Sequence, residues 1–312
     1  MTWRLNRWLL ILALLIGLPY YWLLLDNHSG DVAAKPVTMT QLRALAGSIP
    51  GKHPARIEAE LVSWRRLPGN FFAAGSGLKR VAITIMAWQL PVEGGKPVVI
   101  DSGITAKDAA AMDMEGFLPD RQAKIEAALD HAGLILFTHE HPDHLGPYAA
   151  RRDFPNQAAV LLNPAQLEAL DGLRKDGMKT AVEPGHSMPT TPFAVAPGIV
   201  VIPAPSHTPG SQMIFVQLAD GREVLFAGDI ATLARSWQQQ RARSRLIGDW
   251  FAPENRAEVY AWLKTIAALK REAPALLILP GHDGEWLFKA SSHAGVTNGF
   301  SQTGSSQMQH SN

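Results

Sequence analysis

At 312 residues, 46% hydrophobic and 18% charged, the chain has ordinary globular composition and room for one large domain. A formal net charge of +1 excludes the basic excess that a nucleic-acid surface needs, so no nucleic acid is expected as a partner. Cysteine is absent, which excludes a disulfide framework and any thiolate ligand; a metal would have to be held by nitrogen and oxygen.

Residues 1–26 read as a membrane-directed segment. Arg4 and Arg7 precede Trp8 to Leu25, a run without a single charge. As a helix it would span about 27 Å, against a hydrocarbon layer of ~30 Å. Trp8 at one end and Tyr20, Tyr21 and Trp22 toward the other suit the headgroup belts. The arginines favour a cytoplasmic amino terminus, which predicts a single-pass protein of the inner (cytoplasmic) membrane, in contact with the lipid bilayer through residues 8–25. The remainder would lie on the exported side, periplasmic or extracellular. A cleaved signal peptide is the alternative, with Val32-Ala33-Ala34 as its candidate site, and the uncleaved anchor is preferred. Residues 27–56, interrupted by Gly30, Pro36, Gly47, Pro50, Gly51 and Pro54, read as a tether with a short helix over Thr40 to Ala46.

A folded domain is expected over residues 57–290. Strand patterns cover Glu58 to Trp64, Ala82 to Leu90 and Pro97 to Ile100. Between the first two, a glycine-rich stretch carries Phe71 and Phe72, either as a loop over a pocket or as a plain connection. Asp120 is placed to cap a helix from Arg121 to His131, with His131 a helix-end residue. Leu134 to Phe137 then forms a short strand. Asn163 and Pro164 open a helix to about Arg174, an N-cap followed by proline at the first helical position. His186 reads as a loop residue. Ile199 to Pro203 is another apolar strand, and Gln212 to Leu218 with Arg222 to Phe226 forms a hairpin around Asp220-Gly221. Residues 230–251, with Arg235, Arg241, Arg243 and Arg245, read as a solvated helix sooner than as a substrate-contacting segment. Pro253 starts a helix through Arg271 with Val259, Trp262, Leu263 and Ile266 on its core face, and Leu276 to Leu279 is a last buried strand. Residues 291–312, rich in Ser, Gly, Gln and Asn, read as a disordered tail.

The chemistry concentrates where these strands end. Thr138-His139-Glu140-His141-Pro142-Asp143-His144 follows the Leu134 strand directly. In extended backbone His139 and His141 project to one side, so one ion can take both. Pro142 and Gly146 force a turn that lets Asp143 and His144 reach a second ion. Three later strands also finish on ligand types, at His207, Asp229 and His282, and an earlier one at Asp101. Asp101 is either a turn former before glycine or an acid that orients a ligating imidazole. Five imidazoles and two carboxylates suffice for two divalent ions, zinc foremost.

This set resembles the metallo-β-lactamase-fold superfamily, whose signature is His-x-His-x-Asp-His followed by a histidine, an aspartate and a final histidine at strand ends. The resemblance covers roughly Ile57 to Leu287. It implies a four-layer αβ/βα sandwich, an α/β fold of two mixed sheets face to face with helices outside. It also implies one metal on His139, His141 and His207, a second on Asp143, His144 and His282, and Asp229 bridging them. Asp101 matches the family's acid that orients a ligand, and Asp143 would shuttle a proton. The implied activity is hydrolysis of a small-molecule substrate, with metal-bound hydroxide attacking an ester, lactone or thioester carbonyl. Zinc β-lactamases of the superfamily generally lack the bridging aspartate, so Asp229 argues against antibiotic cleavage. His207-Thr208-Pro209-Gly210-Ser211-Gln212 and Gly281-His282-Asp283 look most like the N-acyl homoserine lactone lactonase branch. Ile230, Ala231 and Thr232 stand where that branch commonly has a tyrosine. The sequence also supports three other readings: a phosphodiesterase using Arg241, Arg243 and Arg245, a membrane-tethered metal-binding module without catalysis, and a non-haem iron oxidoreductase. Phe71, Phe72, Trp237, Trp250 and Trp286 are candidate walls of an acyl pocket, against the commoner reading of aromatics as core.

Overall fold

The structure, a computed structural model, describes residues 3–151, 154–173 and 189–301. His186 lies outside the described residues. The segments Ile199–Pro203, Gln212–Gln217 and Glu223–Gly228 are apolar at nearly every position because these strands are buried on both faces. In a strand successive side chains point to opposite sides. Thus Ile199, Val201, Ile214, Val216 and Phe226 enter one core cluster, while Val200, Ile202, Met213, Phe215 and Leu225 enter another.

The first sheet contains β1 (Ile57–Pro68), β2 (Arg80–Leu90), β3 (Val98–Ile100), β4 (Gly116–Phe117) and β5 (Leu134–Leu136). The second contains β6 (Phe193–Ala196), β7 (Ile199–Pro203), β8 (Gln212–Gln217), β9 (Glu223–Gly228) and β10 (Leu277–Pro280). A final strand, β11 (Val296–Asn298), returns to the first sheet. The orders are β11-β1-β2-β3-β5, with β4 also on β1, and β10-β9-β8-β7-β6. Both sheets are mixed: β3 runs parallel to β5 and β9 to β10, and β1-β2-β3 and β6-β7-β8-β9 are antiparallel runs. Trp88, Ile100 and Leu136 from the first sheet meet Val201, Ile214 and Phe226 from the second in the central core, where the Trp88 ring packs edge-on against Phe226 at 5.3 Å.

Helices cover the outer faces. α1 (Trp3–Tyr20) and the π-turn Tyr21–Leu25 have no fully buried residue. This segment is long and apolar enough to cross a membrane. α2 (Met39–Ala46) is capped by Thr38 and buries Met39, Leu42 and Ala46 against the second sheet. α3 (Gly69–Phe72) is one turn after β1. α4 (Ala106–Ala111), α5 (Pro119–His131), α6 (Gly146–Ala150) and α7 (Pro164–Leu173) cover the first sheet. α8 (Ala234–Gln238) and α9 (Arg256–Glu272) lie on the second sheet's side, and α10 (Gly284–Ala294) leads back to β11. In α9 the stripe Val259, Leu263, Ile266 and Leu269 is buried, Asn255 Oδ1 caps the Glu258 N–H at 3.2 Å, and Lys270 and Arg271 sit at the carboxyl end where the helix dipole favours cations. The αβ/βα sandwich expected from the sequence is therefore present.

Four expectations change. The segment 27–56 is not a free tether: α2 is part of the core, because its apolar face is wide enough to pack on β7 and β8. Residues 291–301 are not a disordered tail throughout, since β11 pairs in parallel with Ile57–Ala59 and Glu58 Oε2 accepts from Ser301 N at 2.8 Å. α5 starts with Pro119 at its first position, so Asp120 lies in the first turn, where its charge suits the dipole, and is not the cap. Residues 230–251 are not one solvated helix but short turns, and Arg243 among them is buried.

Candidate metal centre

Every residue singled out for the site arrives on the carboxyl end of a strand or on the loop that follows. β3 ends at Asp101, β5 at the His139–His144 loop, β7 at His207, β9 at Asp229 and β10 at His282. The structure brings all eight together at one end of the sandwich. His139, Asp143, His144, His207, Asp229, His282 and Asp101 are buried, and His141 is half-buried. Gly281 makes the approach of β10 to β9 possible, because a Cβ there would come 2.1 Å from Asp229 Oδ1.

The nitrogens converge in two groups. His139 Nε2 lies 3.0 Å from His141 Nδ1, which lies 3.2 Å from His207 Nε2. His144 Nε2 lies 3.3 Å from His282 Nε2, and Asp143 Oδ2 is 3.8 and 3.6 Å from those two atoms. Asp229 stands between the groups, with Oδ1 2.9 Å from His282 Nε2 and Oδ2 3.7 Å from His207 Nε2. Three overlapping donor sets are each compact enough to hold a cation: His139, His141, His207 and Asp229; His139, Asp143 and His144; His144, Asp229 and His282.

The partners behind the rings fix which nitrogen faces inward. His144 Nδ1 donates to Asp101 Oδ2 at 2.9 Å, His207 Nδ1 to Glu254 Oε2 at 3.1 Å, and His282 Nδ1 to the Thr84 carbonyl at 2.9 Å. Since a carbonyl only accepts, His282 carries a proton on Nδ1 and points Nε2 toward the centre; the carboxylates hold the other two rings the same way round. Asp101 adopts φ 62°, a left-handed conformation that costs most residues free energy but that aspartate tolerates. Held so, Oδ1 accepts from Thr138 N at 2.7 Å and Oδ2 from Thr138 Oγ1 at 2.9 Å, which locks the carboxylate behind His144.

This arrangement fits cations. Imidazole nitrogens of five rings crowd to within about 3 Å of one another, and the buried Asp229 Oδ1 meets only the His282 ring, 2.9 Å away. Asp101, Asp143, Asp229 and Glu254 place four buried carboxylates against a single buried guanidinium, Arg243. The titration directions agree. Burial together with neighbouring rings holds His139 well below the usual imidazole range, and burial with Arg243 does the same to His207. Burial also disfavours charge on His144, but Asp101 and Asp143 outweigh it and push that ring up to about 9. Despite burial, His282 and Arg243 hold Asp229 well below the carboxylate range. The pocket thus attracts positive charge: His139 and His207 are neutral donors, while His144 and, through Asp229, His282 hold protons that a divalent ion would displace.

The sequence did not single out Thr138 or Glu254, and it offered Arg243 only as one of three arginines for a phosphodiester or as part of a solvated helix. Arg243 Nη2 donates to Asp229 Oδ2 at 2.5 Å and its Nε to Thr232 Oγ1 at 3.2 Å. In the chain it sits in a charged run that resembles an exposed face, and Glu254 lies in an unpatterned turn, so neither carried a spacing signal. Thr138, directly before His139, was adjacent to the motif and could have been found there. His131 is a helix-end residue as expected, its Nδ1 2.8 Å from the Ala127 carbonyl. Of the proposed aromatic walls, Trp237 and Trp286 pack on the cores, Phe71 and Phe72 are half-buried, and Trp250 is 73% exposed.

Comparison with known proteins agrees with this geometry. The N-acyl homoserine lactonase AiiA of Bacillus thuringiensis subsp. kurstaki is 27% identical over 153 residues, 48% of this chain and 56% of the relative, and an N-acyl homoserine lactonase of Bacillus thuringiensis subsp. indiana gives the same figures. The chain thus spans about half the length of the curated relatives it matches. Among solved structures, an N-acyl homoserine lactone hydrolase with N-hexanoyl-L-homoserine bound at its catalytic metal centre superposes with a TM-score of 0.59 at 16% identity, covering 76% of this chain and 96% of that one. The dizinc quorum-quenching lactonase AidC gives 0.53 at 14% identity, covering 73% and 88%. At such identities these structures show a shared fold. The profile of the metallo-beta-lactamase superfamily matches residues 90–282, more than half of the chain, from the end of β2 to the last histidine of the cluster. By fold and by sequence, this chain belongs to the metallo-beta-lactamase superfamily.

Proposed function

We propose that the chain is a membrane-anchored two-metal hydrolase of small-molecule carboxylic esters, lactones or thioesters. The observation that carries this reading is Asp229, whose two oxygens face different nitrogen groups at once. His139, His141 and His207 would hold one ion, Asp143, His144 and His282 the other, and Asp229 would join them, with zinc the ion that best suits an all nitrogen and oxygen set. When bound, the ions supply the Lewis acidity that polarises a carbonyl and acidifies water near neutral pH.

The chain's own residues do the rest. Asp101, Glu254 and the Thr84 carbonyl orient His144, His207 and His282, so little rearrangement accompanies loading. Despite burial, His144 and His282 hold Asp143 below the usual carboxylate range; it is ionised at neutral pH and placed to accept a proton and return it to the leaving oxygen. Arg243 fixes Asp229 from outside the cluster. Thr232 occupies the region after Asp229, with its hydroxyl donating to the Asp229 carbonyl at 3.2 Å, so the substrate carbonyl must be oriented by another group than a phenol following Asp229.

The phosphodiesterase reading loses support here. Arg241 donates to the Ala74 carbonyl, Arg243 to Asp229 and Arg245 to Asp26, so all three guanidiniums are committed within the chain. The test is a panel of lactone, thioester, phosphodiester and β-lactam substrates given to purified, metal-loaded full chain. Turnover of lactone or thioester is expected, and turnover of the phosphodiester alone would overturn the proposal.

A further inference from the structure

The amino-terminal segment is welded to the catalytic domain beside the loops that frame the metal centre. Leu24 O accepts from Gly75 N at 3.0 Å, and the Arg245 guanidinium stacks on the Trp22 ring at 3.9 Å. Asp26 Oδ2 accepts from Arg245 Nε at 2.8 Å, and the Asp26 carbonyl accepts from Arg256 Nη2 at 2.7 Å. Further on, Asn27 Oδ1 accepts from the Tyr260 hydroxyl at 2.7 Å, the Val32 carbonyl from Lys264 Nζ at 2.6 Å, and α2 enters the core. A helix held by this many bonds keeps one orientation to the domain, which a flexible linker would not.

The same corner carries the exposed apolar groups. Trp250 and Phe251, ending the turn Leu246–Phe251, are 73% and 75% exposed, and Leu78, after the Gly69–Gly77 loop, is 57% exposed. Tyr21 and Trp22 on the anchor's last turn are more than half exposed. α3 packs against both this turn and the anchor's last turn, which sets these segments side by side, and Leu78 lies on the loop that continues from α3. The loop connects that surface to the chemistry: Ala74 N donates to Ala242 O at 2.9 Å and Phe71 O accepts from Ser244 N at 3.2 Å, bracketing Arg243 and hence Asp229. Aromatic side chains with a polar edge are those that settle at the headgroup level, and Lys79, exposed next to Leu78, suits an anionic lipid surface.

We infer that Tyr21, Trp22, Leu78, Trp250 and Phe251 form a membrane-seating surface that lies in the headgroup layer of the bilayer entered by α1. The metal centre then opens beside the lipid, and the substrate class is an amphiphilic ester or lactone whose acyl chain is drawn from the bilayer instead of from bulk water. This inference rests on the hydrolase reading above and on α1 being retained as an anchor.

The absence of cysteine makes the test direct. Full-length protein carrying a single Trp250→Cys, Phe251→Cys or Leu78→Cys substitution is labelled with an environment-sensitive fluorophore and reconstituted into phosphatidylglycerol and phosphatidylethanolamine vesicles. The control is Glu93→Cys, beyond the far end of β2, which separates it from Leu78 by roughly 35 Å at ~3.3 Å per residue. Labels at 78, 250 and 251 should shift to the blue and be quenched several-fold more strongly by headgroup-proximal nitroxide lipid than the label at 93. Equal quenching at all four positions, in protein that resists alkaline extraction, would overturn the seating surface; release by alkaline carbonate would instead reject the anchor on which it rests. In vesicles, Leu78→Ala/Phe251→Ala should raise the KM for a membrane-partitioned γ-dodecalactone several-fold and leave γ-butyrolactone unchanged. Equal effects on both would reject the lipid-borne substrate. Failure to hydrolyse either lactone would count against the lactone reading, while the quenching still decides the surface.

Discussion

Asp101→Asn should disable one half of the metal centre and spare the other. Asparagine tolerates the left-handed φ of 62° almost as well as aspartate, so the substitution adds little backbone strain. One amide oxygen can still accept from Thr138 N, now at 2.7 Å. The NH2 group then faces His144 Nδ1, 2.9 Å from the present Oδ2, and two donors oppose each other. The imidazole relieves this by moving its proton to Nε2, the atom 3.3 Å from His282 Nε2. A protonated Nε2 offers no lone pair. Loss of such an orienting partner typically weakens metal binding ~10–100-fold, about 1.4–2.7 kcal/mol. The effect should fall on the ion that Asp143, His144 and His282 are proposed to hold, with the His139, His141 and His207 set nearly unchanged. Competition against a chromogenic chelator would resolve the two affinities, and ¹⁵N spectra of the histidines would report the His144 tautomer. Two ions bound with unaltered affinity, or an equal loss at both positions, would refute the reasoning.

Other outcomes follow from the same contacts. Glu254→Gln keeps an acceptor for His207 Nδ1 and should reduce metal affinity less than Glu254→Ala does, as isothermal titration would show. Arg243→Met leaves Asp229 and Glu254 buried without their cation and should destabilise the metal-free protein by about 3–5 kcal/mol, with added zinc restoring much of the melting temperature. Leu263→Ala, on the buried stripe of α9, should cost about 2–5 kcal/mol in denaturant unfolding while metal stoichiometry stays the same. Burial raises the Asp26 carboxyl, but the His28 amide and Arg245 together hold it below its ordinary value. Its contribution is therefore complete above the ordinary carboxylate pKa of about 3.9 and is lost as pH falls through the lower folded value. Proteolysis at the anchor junction should rise only in that acidic window, and Asp26→Asn should reproduce the rise at neutral pH.

Much of this was legible in the chain. Runs such as Ile199 to Pro203 are apolar throughout because both faces of the strand are buried, and the polar residue that ends each run then has no structural reason to be a histidine or an aspartate. That contrast exposed His207, Asp229 and His282, and the His139–His144 spacing exposed the rest. What stayed hidden depends on tertiary context. Arg243 looks like its neighbours Arg241 and Arg245 until β9 brings Asp229 against it. Glu254 shows no periodicity because it lies in a turn. Val296 to Asn298 is too short, and too close to a Ser- and Gly-rich end, to be read as the strand that β1 makes of it. α2 offers only two turns of amphipathic pattern, and its docking depends on a sheet face that lies far along the chain.

Metal stoichiometry tests the account most directly. Purified, zinc-equilibrated full chain should carry close to two ions, and His207→Ala and His282→Ala should each retain about one, because each would remove a ligand from a different half of the proposed centre. A chain that holds one ion or none while turning substrate over, or either variant still holding two, would contradict it.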